Sequence, residues 1–279
     1  MYSFLCRGRA EMRKTLPLLT QILLFATFLN AADVSAPLKD APGNDIFINT
    51  TKENITISAV QDGGPSLIYW QKRLCNAEVV RAADKVIEVK VTPRSQNAFF
   101  QKILRIPRTT CNIKIAIGKK RNIYASSEVG NIKLSNVQAR SSKLYTAQGI
   151  IEIANYKGNL SAETLTSRIT LTNAEGEDLK LKTASGNINA GGLKFKNADI
   201  LNTSGKTKLQ GVMQNLVFYS SEGPLNAKWD SLPKKMLNIS ARSFTGNIKI
   251  IMPQDADLES IKRNIELKSI YGSEKLEND

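Results

Sequence analysis

The sequence predicts an all-β protein, a single-stranded β-helix-like β-solenoid with a β-rich N-terminal cap, and three observations carry that prediction. Ile, Leu and Val dominate the apolar residues, and 17 glycines are spread along the 279 residues together with many asparagines. This mixture favours strands broken by frequent tight turns. A small residue, usually glycine, recurs at Gly130, Gly149, Ser167, Gly186, Gly205, Gly223 and Gly246, with spacings of 19, 18, 19, 19, 18 and 23. Two and four positions after the markers lie mainly apolar pairs: Ile132 and Leu134, Ile151 and Ile153, Ile169 and Leu171, Ile188 and Ala190. Thr207 and Leu209, Leu225 and Ala227, then Ile248 and Ile250 continue the series, with largely polar residues between. That is the period of two expected of a strand with one buried face.

A second strand precedes each marker. Ile123, Ala125 and Ser127 occupy the inward positions of the first unit, and Leu160, Ala162 and Thr164, then Leu179, Leu181 and Thr183, those of later ones. The inward residues shrink toward Ser, Thr or Ala at the corner, where two walls converge. Each unit reads as strand, corner, strand and a polar return such as Tyr156-Lys157-Gly158-Asn159. One unit cannot bury its own apolar face, but stacked right-handed coils close a continuous core. An antiparallel sandwich is the competing fold, and the fixed residue signature of the two strands favours the solenoid.

The elements follow in order. Residues 1–32 read as a signal peptide: Arg7, Arg9, Arg13 and Lys14 precede an uncharged, mainly apolar run ending in small residues. An uncleaved anchor is the alternative. Residues 33–44, with two prolines and a glycine, read as a linker. Residues 45–122 read as the β-rich cap, 123–253 as the solenoid of about 19-residue repeats, and 254–279 as a C-terminal strand and a fraying tail.

Composition bounds the function. The net charge is +14, and removing the signal segment, which carries +3, leaves +11. A basic exported chain favours acidic partners, such as acidic polysaccharide or lipopolysaccharide, and export argues against nucleic acid. Once the signal is cleaved, no second apolar run is long enough to make it an integral membrane protein. Cys75 and Cys111 form a candidate disulfide in an oxidising compartment, periplasm or cell surface, with buried free thiols as the alternative.

The absence of histidine removes the commonest general base, the Ser-His-Asp triad and most zinc sites. No phosphate loop or dinucleotide fingerprint is present, so no cofactor is expected. Asp255, Asp257 and Glu259 are the nearest approach to a cation cluster, and read as solvated acids. Glu152, Glu163 and Glu222 are the carboxylates an enzymatic solenoid would need, and they read as surface charges. The chain is therefore expected not to be an enzyme. The five Asn-x-Ser/Thr sequons, at Asn49, Asn54, Asn159, Asn202 and Asn238, read as turn residues.

The strings Ser127–Leu134, Thr183–Ile188 and Phe244–Ile250, the last leading to Met252-Pro253, and the earlier Ile106-Pro107, resemble the bacterial "putative adhesin" family of β-strand-repeat (Ser-x-Gly-x-Ile) domains. The resemblance covers about residues 100–255. It implies an adhesin-like role and carries no catalytic residues.

A candidate ligand face comes from the outward positions six and four before the markers. Tyr124, Lys143, Tyr145, Lys180, Lys182, Tyr219 and Arg242 fall there. Stacked coils would align them in a basic stripe with aromatic platforms about 5 Å apart. Aromatic rings stack on sugars while Lys and Arg pair with carboxylates or phosphates. The expectation is an exported adhesin-like binding module of the cell envelope for acidic glycans. The alternatives are a rigid scaffold binding an envelope protein and a polysaccharide-modifying solenoid.

Overall fold

A computed structural model describes residues 33–37, 45–60, 66–71, 74–83, 86–93, 110–118, 120–234 and 236–279. The signal segment expected at 1–32 lies outside the described residues. The 19-residue rhythm becomes a stack of parallel coils, so the chain is an all-β solenoid. Strands β9 (Ile132–Thr146), β10 (Ile151–Thr164), β11 (Ile169–Thr183), β12 (Ile188–Asn202) and β13 (Thr207–Ser220) each run from one corner nearly to the next. Successive coils pair in register, Ile132 with Ile151, Ile151 with Ile169 and Ile169 with Ile188. All the inward pairs named above are buried, from Ile132 and Leu134 to Ile248 and Ile250.

The part read as a polar return is a third wall. Tyr156 is 2% exposed and stands in register with Val137 and Ala174, also buried. Its hydroxyl donates to the Asn159 carbonyl at 2.7 Å and bonds the Ser142 hydroxyl at 3.0 Å. Burial pushes this phenol up to about 12, opposed by its Ser142 hydrogen bond. The chain enters this wall through a left-handed residue at Asn136, Asn155 and Asn173, with φ of 54°, 52° and 55°, and at Gly192, with φ of 66°. Asparagine tolerates that conformation better than other residues with a side chain. The amides bond coil to coil, Asn155 to Asn136 at 2.8 Å and Asn173 to Asn155 at 3.2 Å. At Gly192 a Cβ would lie 2.5 Å from the Asn173 Oδ1, so the next coil needs glycine.

The corners explain the marker. The hydroxyl three residues before each glycine accepts its N–H: Ser127 for Gly130 at 2.9 Å, Thr146 for Gly149 at 3.0 Å and Thr183 for Gly186 at 2.9 Å. Asn202 does the same for Gly205 at 2.9 Å. The small inward residues expected on steric grounds are thus also buried caps, satisfying N–H groups cut off from water.

The N-terminal region joins the same stack. Strands β2 (Asp45–Thr50) and β3 (Asn54–Ala59) pair in parallel with β8 (Ile123–Ser127) and with the start of β9. This coil has Glu53 where most others carry glycine and one carries Ser167, and the Glu53 carboxylate accepts the N–H groups of Thr51 and Lys52 at 3.2 and 3.0 Å. Strands β6 (Val86–Pro93) and β7 (Asn112–Ile117) pair on its other side. Spatial order therefore departs from chain order: β2 and β3 lie between a later coil and the main stack. Two antiparallel pairings close this end: β5 (Cys75–Ala83) on β6, and β4 (Leu67–Gln71) on β7. The Cys75–Cys111 disulfide ties β5 to the residue before β7. Strand β1 (Asp33–Pro37), within the stretch read as linker, pairs antiparallel with β4.

At the other end the repeat lengthens without breaking. Bends follow β14 (Leu225–Trp229) before β15 (Asn238–Ser243). The short helix α1 (Leu258–Lys262) lies between β16 (Ile248–Met252) and β17 (Ile265–Ser269). The tail expected to fray instead forms β18 (Glu274–Asn278), paired with β16. Gly272 makes one more corner, its N–H bonded to the Ser269 hydroxyl at 3.0 Å.

Candidate functional site

The outward residues of the strands before the corners form two rows. The first runs Glu88, Phe47, Tyr124, Lys143, Ser161, Lys180, Asp199, Val217, Ser240, Glu266 in register. The second runs Lys90, Asn49, Ser126, Tyr145, Glu163, Lys182, Leu201, Tyr219, Arg242, Lys268. The seven predicted residues thus share one face, but acids interrupt the stripe. Asp199 carboxylate oxygen lies 3.4 Å from the Lys180 ammonium, and Glu266 lies 2.8 Å from the Arg242 guanidinium. Glu163 separates Tyr145 from Lys182. The face is a mixed-charge ladder with most of its aromatic residues near the cap end rather than a uniform basic stripe.

At the cap end the face opens into a groove of about 550 Å³. Its floor is aromatic: Phe47 and Tyr124 stack with ring centroids 4.2 Å apart and planes 9° from parallel. The Lys143 ammonium sits 5.7 Å from the Tyr124 ring centre, a geometry in which the ring face attracts the cation. Tyr145, 39% exposed, adds a second aromatic surface in the same groove. Glu88, Glu163, Asn49 and Ser126 supply hydrogen-bonding groups around it. Outward-pointing side chains of five adjacent strands are needed to make this surface, which the flat parallel stack holds at fixed spacing.

The structure therefore brings Tyr124, Lys143 and Tyr145 together and leaves Lys180, Lys182, Tyr219 and Arg242 further along the face. Phe47, Asn49 and Glu88 were missed. The signal for Phe47 was present: Glu53-Asn54-Ile55 repeats the Gly-Asn-Ile corner with glutamate in place of glycine, and Phe47 lies six residues before it. The three carboxylates weighed for catalysis do not converge. Glu152 pairs with Lys133 and Arg168 on the strand after a corner, Glu163 lies in the groove, and Glu222 is at a corner. Asp257 caps α1 by accepting the N–H groups of Glu259 and Ser260. Among the described residues no group of three or more metal-ligating side chains converges. No described helix is long and apolar enough to cross a membrane.

Comparison with known proteins agrees with this architecture. A solved structure described as a "putative adhesin" from Parabacteroides distasonis superposes with a TM-score of 0.52 at 14% identity, over 90% of this chain and 98% of that one. A "putative adhesin" from Parabacteroides merdae gives 0.40 at 12% identity over 90% and 97%. A "putative lipid binding protein" from Parabacteroides distasonis gives 0.39 at 14% identity over 90% and 98%. The first likeness shows the fold, and the other two are too distant to extend it. No curated protein matches the chain. The family model for Toastrack DUF4097 matches residues 43–278, well over half of the chain, and the protein belongs to that family.

Proposed function

We infer that this protein is an exported, adhesin-like binding module of the cell envelope, and that its groove holds a saccharide. The observation that carries the reading is the stacked pair Phe47–Tyr124 with Tyr145 beside it, partly exposed in a groove that also offers carboxylates, an amide and an ammonium. A pyranose ring has apolar C–H faces and a rim of hydroxyls. The aromatic floor suits the face, and Glu88, Glu163 and Asn49 suit the rim as hydrogen-bond acceptors. The groove is mostly apolar-floored with a few placed polar groups, the usual make-up of a small-molecule site.

Charge acts at longer range. The groove itself holds one cation, Lys143, against two acids, so it reads ring and hydroxyls more than net charge. The +11 carried outside the signal segment draws acidic envelope polysaccharide toward the surface and concentrates it there. Lys143 then offers one contact to a carboxylate or phosphate on the captured chain. The likeness to a protein described as a "putative adhesin" supports a binding role and the envelope as its place.

Calorimetric titration of the purified protein with acidic and neutral envelope polysaccharides, across a salt series, tests the reading. Acidic polymers should bind more tightly at low salt, with the advantage shrinking as the Debye length falls from about 30 Å to about 8 Å. Absence of binding to every polysaccharide at low salt would contradict it.

A further inference from the structure

We propose that the C-terminal end of the solenoid is a self-association surface, on which strand β17 of a second copy pairs antiparallel with β17 across a twofold axis at Leu267. The proposal is independent of what the groove holds. Among the described residues β17 pairs on one side only, with β15, whereas the opposite end of the stack is closed by the antiparallel strands β4 and β5. The outer edge of β17 carries the groups such a pairing needs, except the Ser269 N–H, which the Glu274 carboxylate already accepts. The Asn264 carbonyl accepts the Ile239 N–H at 2.9 Å and the Ile270 N–H reaches the Ser243 carbonyl at 3.3 Å. Even-numbered main-chain groups of this stretch therefore face the preceding coil, and alternation turns those of Ile265 and Leu267 outward. A central residue with both groups outward is the one a twofold antiparallel pair exchanges reciprocally.

The choice of a second copy as occupant comes from charge. The β17 sequence Ile265-Glu266-Leu267-Lys268-Ser269 is complementary to its own reverse. About a twofold at Leu267, Glu266 of one copy meets Lys268 of the other, twice, and Leu267 meets Leu267. Outside the strand, Arg263 falls opposite Tyr271, which is 74% exposed, a cation facing an aromatic ring. Ile265 and Leu267 are only partly covered, so pairing would extend the apolar core from one molecule into the next. A C2 contact of this kind closes on itself and stops at two copies. An open edge with random charge would be an aggregation hazard instead.

The test uses two charge variants of the purified protein, Glu266→Lys and Lys268→Glu, with sedimentation read over a concentration series. Each variant sets like charges opposite each other at both contacts and should weaken the wild-type dimer about tenfold or more. Mixing the two variants restores opposite charges at both contacts, so an equimolar mixture should form the heterodimer. A wild-type monomer at every concentration, a dimer indifferent to both substitutions, or variants that stay monomeric when mixed would each overturn the proposal.

Discussion

Thr146 and Gly149 meet at a corner of the solenoid, where the threonine hydroxyl accepts the glycine N–H at 3.0 Å and donates to the carbonyl of Gly130 in the coil before, also at 3.0 Å. One hydroxyl thus shapes the corner and fastens two coils. Ser269 repeats the arrangement at the last corner, with Gly272 and Gly246 as its partners at 3.0 and 2.9 Å.

Removing that hydroxyl leaves two buried main-chain groups without a partner. Thr146→Val keeps the shape of the side chain and should lower the unfolding free energy by about 1–3 kcal/mol. Thr166→Val changes a hydroxyl on an exposed corner and should stay within about 0.5 kcal/mol of wild type. Urea unfolding of the two variants measures the difference.

At Gly149 the neighbouring coil leaves no room for a side chain. A Cβ at Gly149 would lie 2.0 Å from the Gly130 carbonyl oxygen, a main-chain atom that cannot move without parting the coils. Gly149→Ala should therefore cost about 3 kcal/mol or more. Gly191 is a built-in control, since a Cβ there meets nothing within 4 Å. Gly191→Ala should be neutral or stabilising by up to about 1 kcal/mol. A thermal melt that ranks the two variants the other way would contradict the close-approach argument.

Tyr156 makes stability fall at high pH. Its phenol titrates at about 12 in the folded chain against 10.0 when free, because burial disfavours the phenolate. A raised folded value stabilises the fold fully below pH 10 and loses that contribution as the pH climbs to about 12. The loss amounts to roughly 2–3 kcal/mol. Tyr156→Phe should be less stable at neutral pH, because the Asn159 carbonyl loses its donor, yet show a shallower decline in this window. Denaturation curves recorded at pH values on either side of 10 give both quantities.

Cys75 and Cys111 are both buried and close a loop with a sequence separation of 36. Replacing both by serine should cost roughly 2–4 kcal/mol in the chain-entropy account. Because the bond lies among the strands that close the N-terminal end, hydrogen exchange should rise first in β4, β5 and β7. Uniform exchange along the whole stack would show that the bond stabilises the coils equally.

Much of the repeat was legible because a coil must meet its neighbour at every turn, which imposes one residue type per position. Gly130, Gly149 and Gly186 announce the corners, and Ile132, Ile151 and Ile169 the wall that follows. The third wall was read as a polar return because its inward side chains are dissimilar: Val137, Tyr156, Ala174 and Leu193 fill a space set by size, not by type. The place of β2 and β3 inside the stack was hidden by Glu53, whose carboxylate performs locally what a glycine corner leaves to a hydroxyl. The tail was read as fraying because Glu274 and Lys275 look solvated, yet the pairing of β18 needs only their backbone. The stripe is legible by position, and its mixed charge comes from Asp199 and Glu266, acids at outward positions beside Lys180 and Arg242.

Polysaccharide binding by variants at the two ends of the face tests the central claim most directly. Tyr124→Ala and Tyr145→Ala remove the groove's aromatic surfaces, while Tyr219→Ala removes a more exposed ring outside it. If the groove holds the sugar, each of the first two should weaken binding about five- to tenfold, or about 1 kcal/mol, and the third should leave it unchanged. Equal losses at all three tyrosines, or none at Tyr124 and Tyr145, would contradict the assignment of the groove.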